Sequence, residues 1–241
     1  MVGQAGSWLA GALLLGHCCW CIGSGFDIDD SVLAAKVMNT KLDNMALDPS
    51  TAKAAVAVAR QSLELFFRED VIFHPDLSLL PVQLSETGST FVTITNHGKL
   101  RGCMGSTEAR YPLAKDIARN AVSAASRDFR FPSVTTAELP DVRLEVTILT
   151  KPAPLLYRNY DELKELLKPG LHGVILSSGM RKGLLLPQVW ERLPDPDRFL
   201  EMIALKASIS AGALRDIPPS VEVQIFEAHH YSELGYQEPG G

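Results

Sequence analysis

The sequence lacks the short motifs of the commonest nucleotide-binding and hydrolytic sites. It has no G-x-x-x-x-G-K-[ST] loop, no G-x-G-x-x-G that opens a helix, no H-E-x-x-H and no G-x-S-x-G. Nucleotide hydrolysis, dinucleotide redox chemistry and the serine-hydrolase elbow therefore have no support in the sequence. The six histidines are not spaced as metal ligands, so we expect neither a metal site nor a cofactor.

A surplus of positive charge is also missing. The formal net charge is -5 and the isoelectric point is about 5.7, whereas general nucleic-acid binders carry a basic surplus. Nucleic acid is therefore an unexpected partner, and RNA binding by a regulatory sheet surface is kept as an alternative function. Hydrophobic residues make up 46% and charged residues 21% of the chain, which suits one sizeable globular domain or two small ones.

Cysteine is scarce outside the N-terminus. Cys18, Cys19 and Cys21 lie in the first 25 residues and lack a second Cys/His pair at the spacing of a zinc site. Cys103 is the one cysteine of the remaining sequence. No disulfide can form within that part of the chain, which suits a reducing cytoplasm.

The N-terminal segment has no long hydrophobic run. Residues 8–15 are apolar, but a membrane-spanning helix needs about 20 such residues, and no Lys or Arg precedes the run. Two interpretations are open: a degenerate export signal, or an upstream extension with the start at Met38 or Met45. We expect an extension over 1–45, a folded domain over 46–235 and a loose tail over 236–241. Cytoplasmic localisation is expected, with export as the alternative.

Helical and strand patterns alternate along the rest of the chain. Apolar spacing and capping residues predict helices over about 48–70, 112–129, 161–168 and 195–208. Alternating apolar residues predict strands over 91–95, 99–105, 141–150, 173–177, 182–186 and 221–225, and the polar chain after Tyr231 predicts a loose end. This order predicts an α+β fold with a mainly antiparallel sheet flanked by helices.

The stretch 91–105 combines a hairpin with a basic cluster and a cysteine. Alternation places Arg101 and Cys103 on one face, so that cations lie beside the thiol and favour the thiolate. Gly102 and Gly105 indicate a bulge or the close approach of a ligand or of another backbone. A bulge at Gly102 would break the alternation. Alternatively, Cys103 is a buried structural residue, as cysteines often are.

Two side chains are candidate bases for Cys103. Glu145 lies on a strongly alternating strand and is either a proton acceptor or one member of a cross-strand salt bridge. His97 occupies the hairpin turn, which is a long reach from the cysteine. Further along the chain, Arg127 and Arg130 follow a predicted helix, where they either bind an anion or complement the carbonyls of the helix end.

Five motifs, in order, resemble those of the AMMECR domain family. They are L-R-G-C-M-G at 100–105, R-D-F-R-F-P at 127–132, E-V-T-I-L at 145–149, H-G-V-I-L at 172–176 and L-P-Q-V-W at 186–190. The resemblance covers about residues 50–230. The chain departs from the family pattern at Met104, where Ile is usual, at Phe129, where Pro is usual, and at Ser208, where Gly is common.

The resemblance implies an α+β protein of two unequal subdomains. In bacteria and archaea the family is the A component of the AmmeMemoRadiSam system, found beside a Memo-like protein and a radical S-adenosylmethionine enzyme, and its biochemical activity is not established. The resemblance therefore implies partners rather than a reaction.

The sequence leaves open two main functions at one predicted pocket. The first is an accessory protein that binds an anionic small molecule or a partner's acidic segment. Its ligand-binding residues would be Arg101, Gly102, Gly105, Arg127, Arg130 and Phe131. The second is a cysteine-dependent enzyme with Cys103 as the nucleophile, in which Glu145 or His97 handles the proton.

Overall fold

The computed structural model describes residues 46–216, 220–233 and 235–237. The predicted N-terminal extension, with its apolar run and its three cysteines, lies outside the described residues. The described α-helices are α1 (Pro49–Glu69), α2 (Leu113–Ser126), α3 (Tyr160–Leu166) and α4 (Pro196–Ala207). The described strands are β1 (Thr87–Asn96), β2 (Lys99–Gly105), β3 (Tyr111–Pro112), β4 (Val142–Leu149), β5 (Ala153–Pro154), β6 (Gly173–Ser178), β7 (Arg181–Leu185), β8 (Glu222–Phe226), β9 (Ala228–Ser232) and β10 (Gly235–Gln237). None of these helices is long and apolar enough to cross a membrane.

The strands form two antiparallel sheets, which confirms the predicted α+β class. The first sheet has the order β10-β9-β4-β1-β2, with β3 paired to the start of β1. The second and smaller sheet has the order β5-β8-β6-β7. Helices α1 and α2 pack against the first sheet, and α4 packs against β6 and β7 of the second.

A separate apolar core lies behind each sheet, and a small cluster joins the two. Val92 and Ile94 of β1 and Val146 of β4 are buried against α1 and α2. The joining cluster is formed by buried residues of both sheets, with three half-buried neighbours packed on it: Leu149, Ile175, Phe226 and Ala228, with Phe91, Leu184 and Leu186. This contact covers one part of the first sheet's second face.

Helix α1 agrees with the predicted span because capping residues define both of its ends. The Asp48 carboxylate accepts hydrogen bonds from the backbone N–H groups of Ser50 and Thr51, and Pro49 occupies the first helical position. Proline suits that position because its missing N–H would have no partner there. The helix ends where Asp70 adopts the left-handed conformation, with φ 54°.

A buried carboxylate fixes α2 on the first sheet. Asp116 accepts hydrogen bonds from the backbone N–H and the hydroxyl of Thr90 and from the side-chain amide of Asn120. Burial raises the pKa of Asp116, although these hydrogen bonds act in the opposite direction. The helix is therefore held against β1 by polar contacts as well as by its apolar face.

The closest approach of α2 to the sheet is at Gly102. The register pairs Ile94 with Gly102 and Thr95 with Leu100, so Arg101 is the extra residue of a β-bulge. The bulge interrupts the alternation from which Arg101 and Cys103 were expected to share a face. A Cβ atom on Gly102 would lie 2.1 Å from the carbonyl oxygen of Ala124. The close approach anticipated at this glycine is therefore the backbone of α2.

The structure differs from the sequence-based prediction at two places. Helix α2 ends at Ser126 rather than near 129, because the chain then turns so that Val134 N–H donates to the Ala125 carbonyl. The chain end after Ala228, expected to be loose beyond Tyr231, forms β9 and β10. Their residues are mostly polar, and pairing of their backbones with β4 and with each other makes them strands.

We expect Gly102→Ala to lower the free energy of unfolding by about 1–3 kcal/mol, because the added methyl group would overpack the contact with Ala124. Urea denaturation measures the change. Gly212→Ala is the matched control, since its Cβ atom would meet Ser210 Oγ at 3.4 Å and no backbone atom within 4 Å. Equal stability of the two variants would contradict the close helix contact.

Candidate functional site

Side chains, rather than another strand, close the sheet edge at Cys103. Cys103 pairs with Thr93 of β1, while its backbone N–H donates to Asp128 Oδ2 at 2.8 Å. Its carbonyl oxygen accepts a longer hydrogen bond from Arg130 Nη2 at 3.4 Å. The carboxylate and the guanidinium thus satisfy both backbone groups of Cys103, and this part of the edge cannot pair with a further strand.

Asp128 is the buried centre of this arrangement. Besides the Cys103 N–H, its carboxylate accepts hydrogen bonds from Arg130 Nη2 at 2.7 Å, from Arg130 Nε at 2.9 Å and from the Arg130 backbone N–H at 3.2 Å. These bonds, led by those of the Arg130 side chain, hold the pKa of Asp128 well below its usual range. Asp128 therefore stays ionised and ties the loop after α2 to β2.

Arg101 makes a second link between β2 and the same loop. Its guanidinium contacts both carboxylate oxygens of Glu138, with the shorter distance, from Nε to Oε1, at 2.7 Å. It also donates to the carbonyl oxygens of Pro132 and Ser133. Arg101 lowers the pKa of Glu138 to about 2, with help from the Thr135 N–H. The Arg101 charge is thus neutralised within the fold.

The other predicted cations lie at the outer side of this loop. Arg127 caps the end of α2 and is exposed, and its side chain makes no hydrogen bond or ion pair with any residue that the structure describes. Arg130 is about half exposed, with its guanidinium carbon 5.5 Å from the Phe131 ring centroid. The structure therefore places Arg130 at the Cys103 backbone and Phe131 beside Arg130, while Arg101 is bound to Glu138.

The Cys103 thiol lies on the face of the first sheet opposite α1 and α2. It is half-buried, and Thr93 Oγ1 is 3.3 Å from its sulfur. Thr93 is paired with Cys103 on one side and with Glu145 on the other, so these three side chains point to the same face. We call the row Cys103, Thr93, Glu145 and His230 the polar row.

The far end of the polar row joins the two sheets. Glu145 Oε1 is 3.2 Å and Thr147 Oγ1 is 3.1 Å from His230 Nδ1. The Gln188 amide, which follows the second sheet's β7, lies 3.0 Å from His230 Nε2. An amide N–H that donates to Nε2 leaves the imidazole proton on Nδ1, directed at Glu145 and Thr147.

The remaining predicted site residues do not join the polar row. His97 is exposed in the hairpin turn, with φ 48°. Gly105 makes a packing contact, since a Cβ atom there would lie 2.3 Å from the Phe91 ring. Within the described ranges, no three His, Cys, Asp or Glu side chains could hold a metal ion.

Sequence reasoning missed several residues that build this region. Asp128 stood inside a motif in which Arg127, Arg130 and Phe131 were assigned a role and the aspartate was not. Thr93 had a readable signal, because it alternates with the core residues Val92 and Ile94 and so had to face away from α2. His230 had none, since the pairing of β9 with β4 brings it to Glu145. Gln188 lay in the L-P-Q-V-W motif, but nothing in the sequence indicated its contact with His230.

The fold and the site define a two-sheet α+β protein whose half-buried thiol lies on an edge strand closed by an Arg-Asp-x-Arg loop. A family model described as AMMECR1 matches residues 56–231. The chain therefore belongs to the AMMECR1 family, as the resemblance in the sequence implied.

Archaeal proteins and one solved structure are similar to this chain over most of its length. A Methanosarcina mazei protein is 38% identical over 199 residues, which cover 81% of this chain and 96% of that one. A Thermofilum pendens protein is 36% identical over 193 residues, covering 74% and 87%. The crystal structure of uncharacterized protein PH0010 from Pyrococcus horikoshii matches with a TM-score of 0.65 and 28% identity, covering 80% of this chain and 96% of that one.

We expect Glu138→Gln to destabilise the protein in a pH-dependent way. The pKa of Glu138 falls from 4.5 to about 2 in the fold, so its ionised form stabilises the protein above the unfolded-state value. That contribution is lost as pH falls from about 5 towards 2. The difference in free energy of unfolding between the protein and the variant should therefore shrink over this range. A difference that persists unchanged in an Arg101→Gln background would contradict the assignment to the Arg101–Glu138 pair.

Proposed function

We propose that this chain is the A component of an AmmeMemoRadiSam-type system, and that it binds a ligand or partner at the Cys103 region rather than transforming one. The observation that supports binding is the immediate surroundings of the thiol. Within the described residues, the hydrogen-bond partner of the sulfur is the Thr93 hydroxyl, at 3.3 Å, and its charged neighbour is Arg130. Neither a hydroxyl nor a guanidinium is a general base at neutral pH.

The geometry separates Cys103 from the two acid-base groups on its face. Glu145 lies two strands away and His230 three strands away. With neighbouring strands about 4.8 Å apart, these separations are about 10 Å and 14 Å across the sheet. A base that activates a cysteine has to lie within hydrogen-bond reach, about 3 Å.

Charges at the loop after α2 support an anionic ligand or an acidic partner segment. Arg130 uses Nε and Nη2 to bind Asp128, and its Nη1 makes no hydrogen bond to any described residue. Asp128 thus holds the guanidinium in one orientation while about half of the side chain is exposed. An oriented guanidinium binds a carboxylate or phosphate at a smaller entropic cost than a mobile one.

A cysteine-dependent enzyme is the second candidate function. It is favoured by the half-buried thiol, by a Thr93 hydroxyl able to donate to a thiolate, and by the Glu145–His230 pair on the same face. In this function the Thr93 hydroxyl would steady the nucleophile, and substrate or water would carry the proton to the distant pair.

Replacing Cys103 with Ser distinguishes the two functions. We expect Cys103→Ser to retain the Kd for the Memo-like protein of the same organism within about threefold, and to rescue a strain that lacks the gene, because serine keeps the polar contact with Thr93. Calorimetry and growth are the measurements. We also expect the free thiol to react with iodoacetamide no faster than a cysteine in an unfolded peptide.

Two results would contradict the binding function. One is loss of rescue by Cys103→Ser together with alkylation of the wild-type thiol at least about tenfold faster than the peptide, which would indicate an activated nucleophile. The other is the absence of binding by the wild-type chain to both the Memo-like and the radical S-adenosylmethionine protein, which would remove the proposed partners.

A further inference from the structure

Phe129 is the most exposed aromatic side chain among the described residues, with 95% of its surface accessible. Its neighbour Asp128 is buried and makes hydrogen bonds to Cys103 and Arg130. The loop is closed further on by the bond from Val134 N–H to the Ala125 carbonyl. The Phe129 ring is thus exposed to solvent on a loop that hydrogen bonds of Asp128 and Val134 hold in place.

Local folding does not explain an aromatic side chain at this position. The Phe131 N–H donates to the Asp128 carbonyl, so residues 128–131 form a turn in which Phe129 is the second residue. Asp is favoured at the first position of such a turn and Pro at the second. The Phe129 ring therefore adds nothing that the turn requires.

The side chains on both sides of Phe129 in sequence present positive charge. Arg127 is exposed and makes no ion pair within the described part of the chain. The Arg130 guanidinium is half exposed although Asp128 binds one of its edges. This local excess of cations contrasts with the net charge of -5 for the whole chain. Aromatic and arginine side chains are the types that most often dominate binding energy at protein interfaces.

We infer that Phe129 is the anchor of a protein-docking loop, residues 127–131, which inserts the ring into an apolar pocket of a partner protein with carboxylates at its rim. This inference rests on the proposed function and selects the acidic protein partner over the anionic small molecule. A membrane surface fits less well, because membrane-binding segments carry a cluster of about four to eight Lys or Arg or an amphipathic helix. The loop has two arginines and one ring.

The variant Phe129→Pro tests the anchor while preserving the turn. Proline suits the second turn position and removes the ring, so the variant should fold with an unchanged or slightly higher melting temperature. We expect it to raise the Kd for the Memo-like protein of the same organism about tenfold or more, as measured by calorimetry. Phe129→Ala should behave in the same way. Met180→Ala, which removes a fully exposed side chain in the turn between β6 and β7, should leave the Kd unchanged.

Removing a positive charge from the loop provides a second, independent test. Arg127→Ala should weaken binding and reduce its dependence on NaCl concentration, because it removes an exposed cation without disturbing the Asp128 contacts. Arg198→Ala is the matched control, since Arg198 is an exposed arginine of α4 and should not affect binding.

The outcomes separate this inference from the proposed function. Unchanged affinity in both Phe129 variants, with the wild-type chain bound to the Memo-like protein, overturns the docking loop and leaves the accessory function intact. Failure of the wild-type chain to bind either proposed partner protein overturns both. Sedimentation of the wild-type chain, but not of Phe129→Pro, with phosphatidylserine-containing vesicles would assign the loop to a lipid surface and overturn the protein partner.

Discussion

The hydrogen bond from the Cys103 N–H to the Asp128 carboxylate is the contact on which the functional region depends. It closes an otherwise unpaired sheet edge with a side chain, and it fixes the direction in which the chain leaves α2. A further strand would have paired with several residues of β2, whereas the Asp128 carboxylate pairs with one. A carboxylate covers one residue and leaves the following loop free to project from the sheet.

The same constraint explains why the arginines of this region have different roles. Arg101, displaced by the bulge, is neutralised by Glu138 and by two backbone carbonyls, so its charge holds the loop in place. Arg130 is bound along one edge and exposed along the other. Several guanidinium groups were predicted to converge on the thiol. Instead, Arg101 has a structural role, and Arg130 is held in one orientation and is partly accessible.

Local chemistry predicted most of the fold, and pairing between distant segments supplied what was missed. Asp48, Pro49 and Asp70 delimit α1 by capping rules that act within a few residues, so its span could be read directly. The glycine at 102 indicated a close approach but not the element involved, because α2 reaches it only after packing on β1. Strand β9 could not be read at all, since its polar residues become a strand through pairing with β4. Because β9 was not predicted, the contact of Glu145 with His230 was not predicted either.

The contacts of His230 also depend on that pairing, because they link β4 of the first sheet to the turn that follows β7 of the second. Its Nε2 accepts from Gln188 beyond the second sheet, and its Nδ1–H is directed at Glu145 and Thr147 of the first. The half-exposed Arg130 guanidinium lies at the other end of the strand order, beyond β2, where it binds Asp128. The widths of β1 and β4 separate β2 from β9, so strand pairing places the oriented cation and the imidazole on different parts of the first sheet.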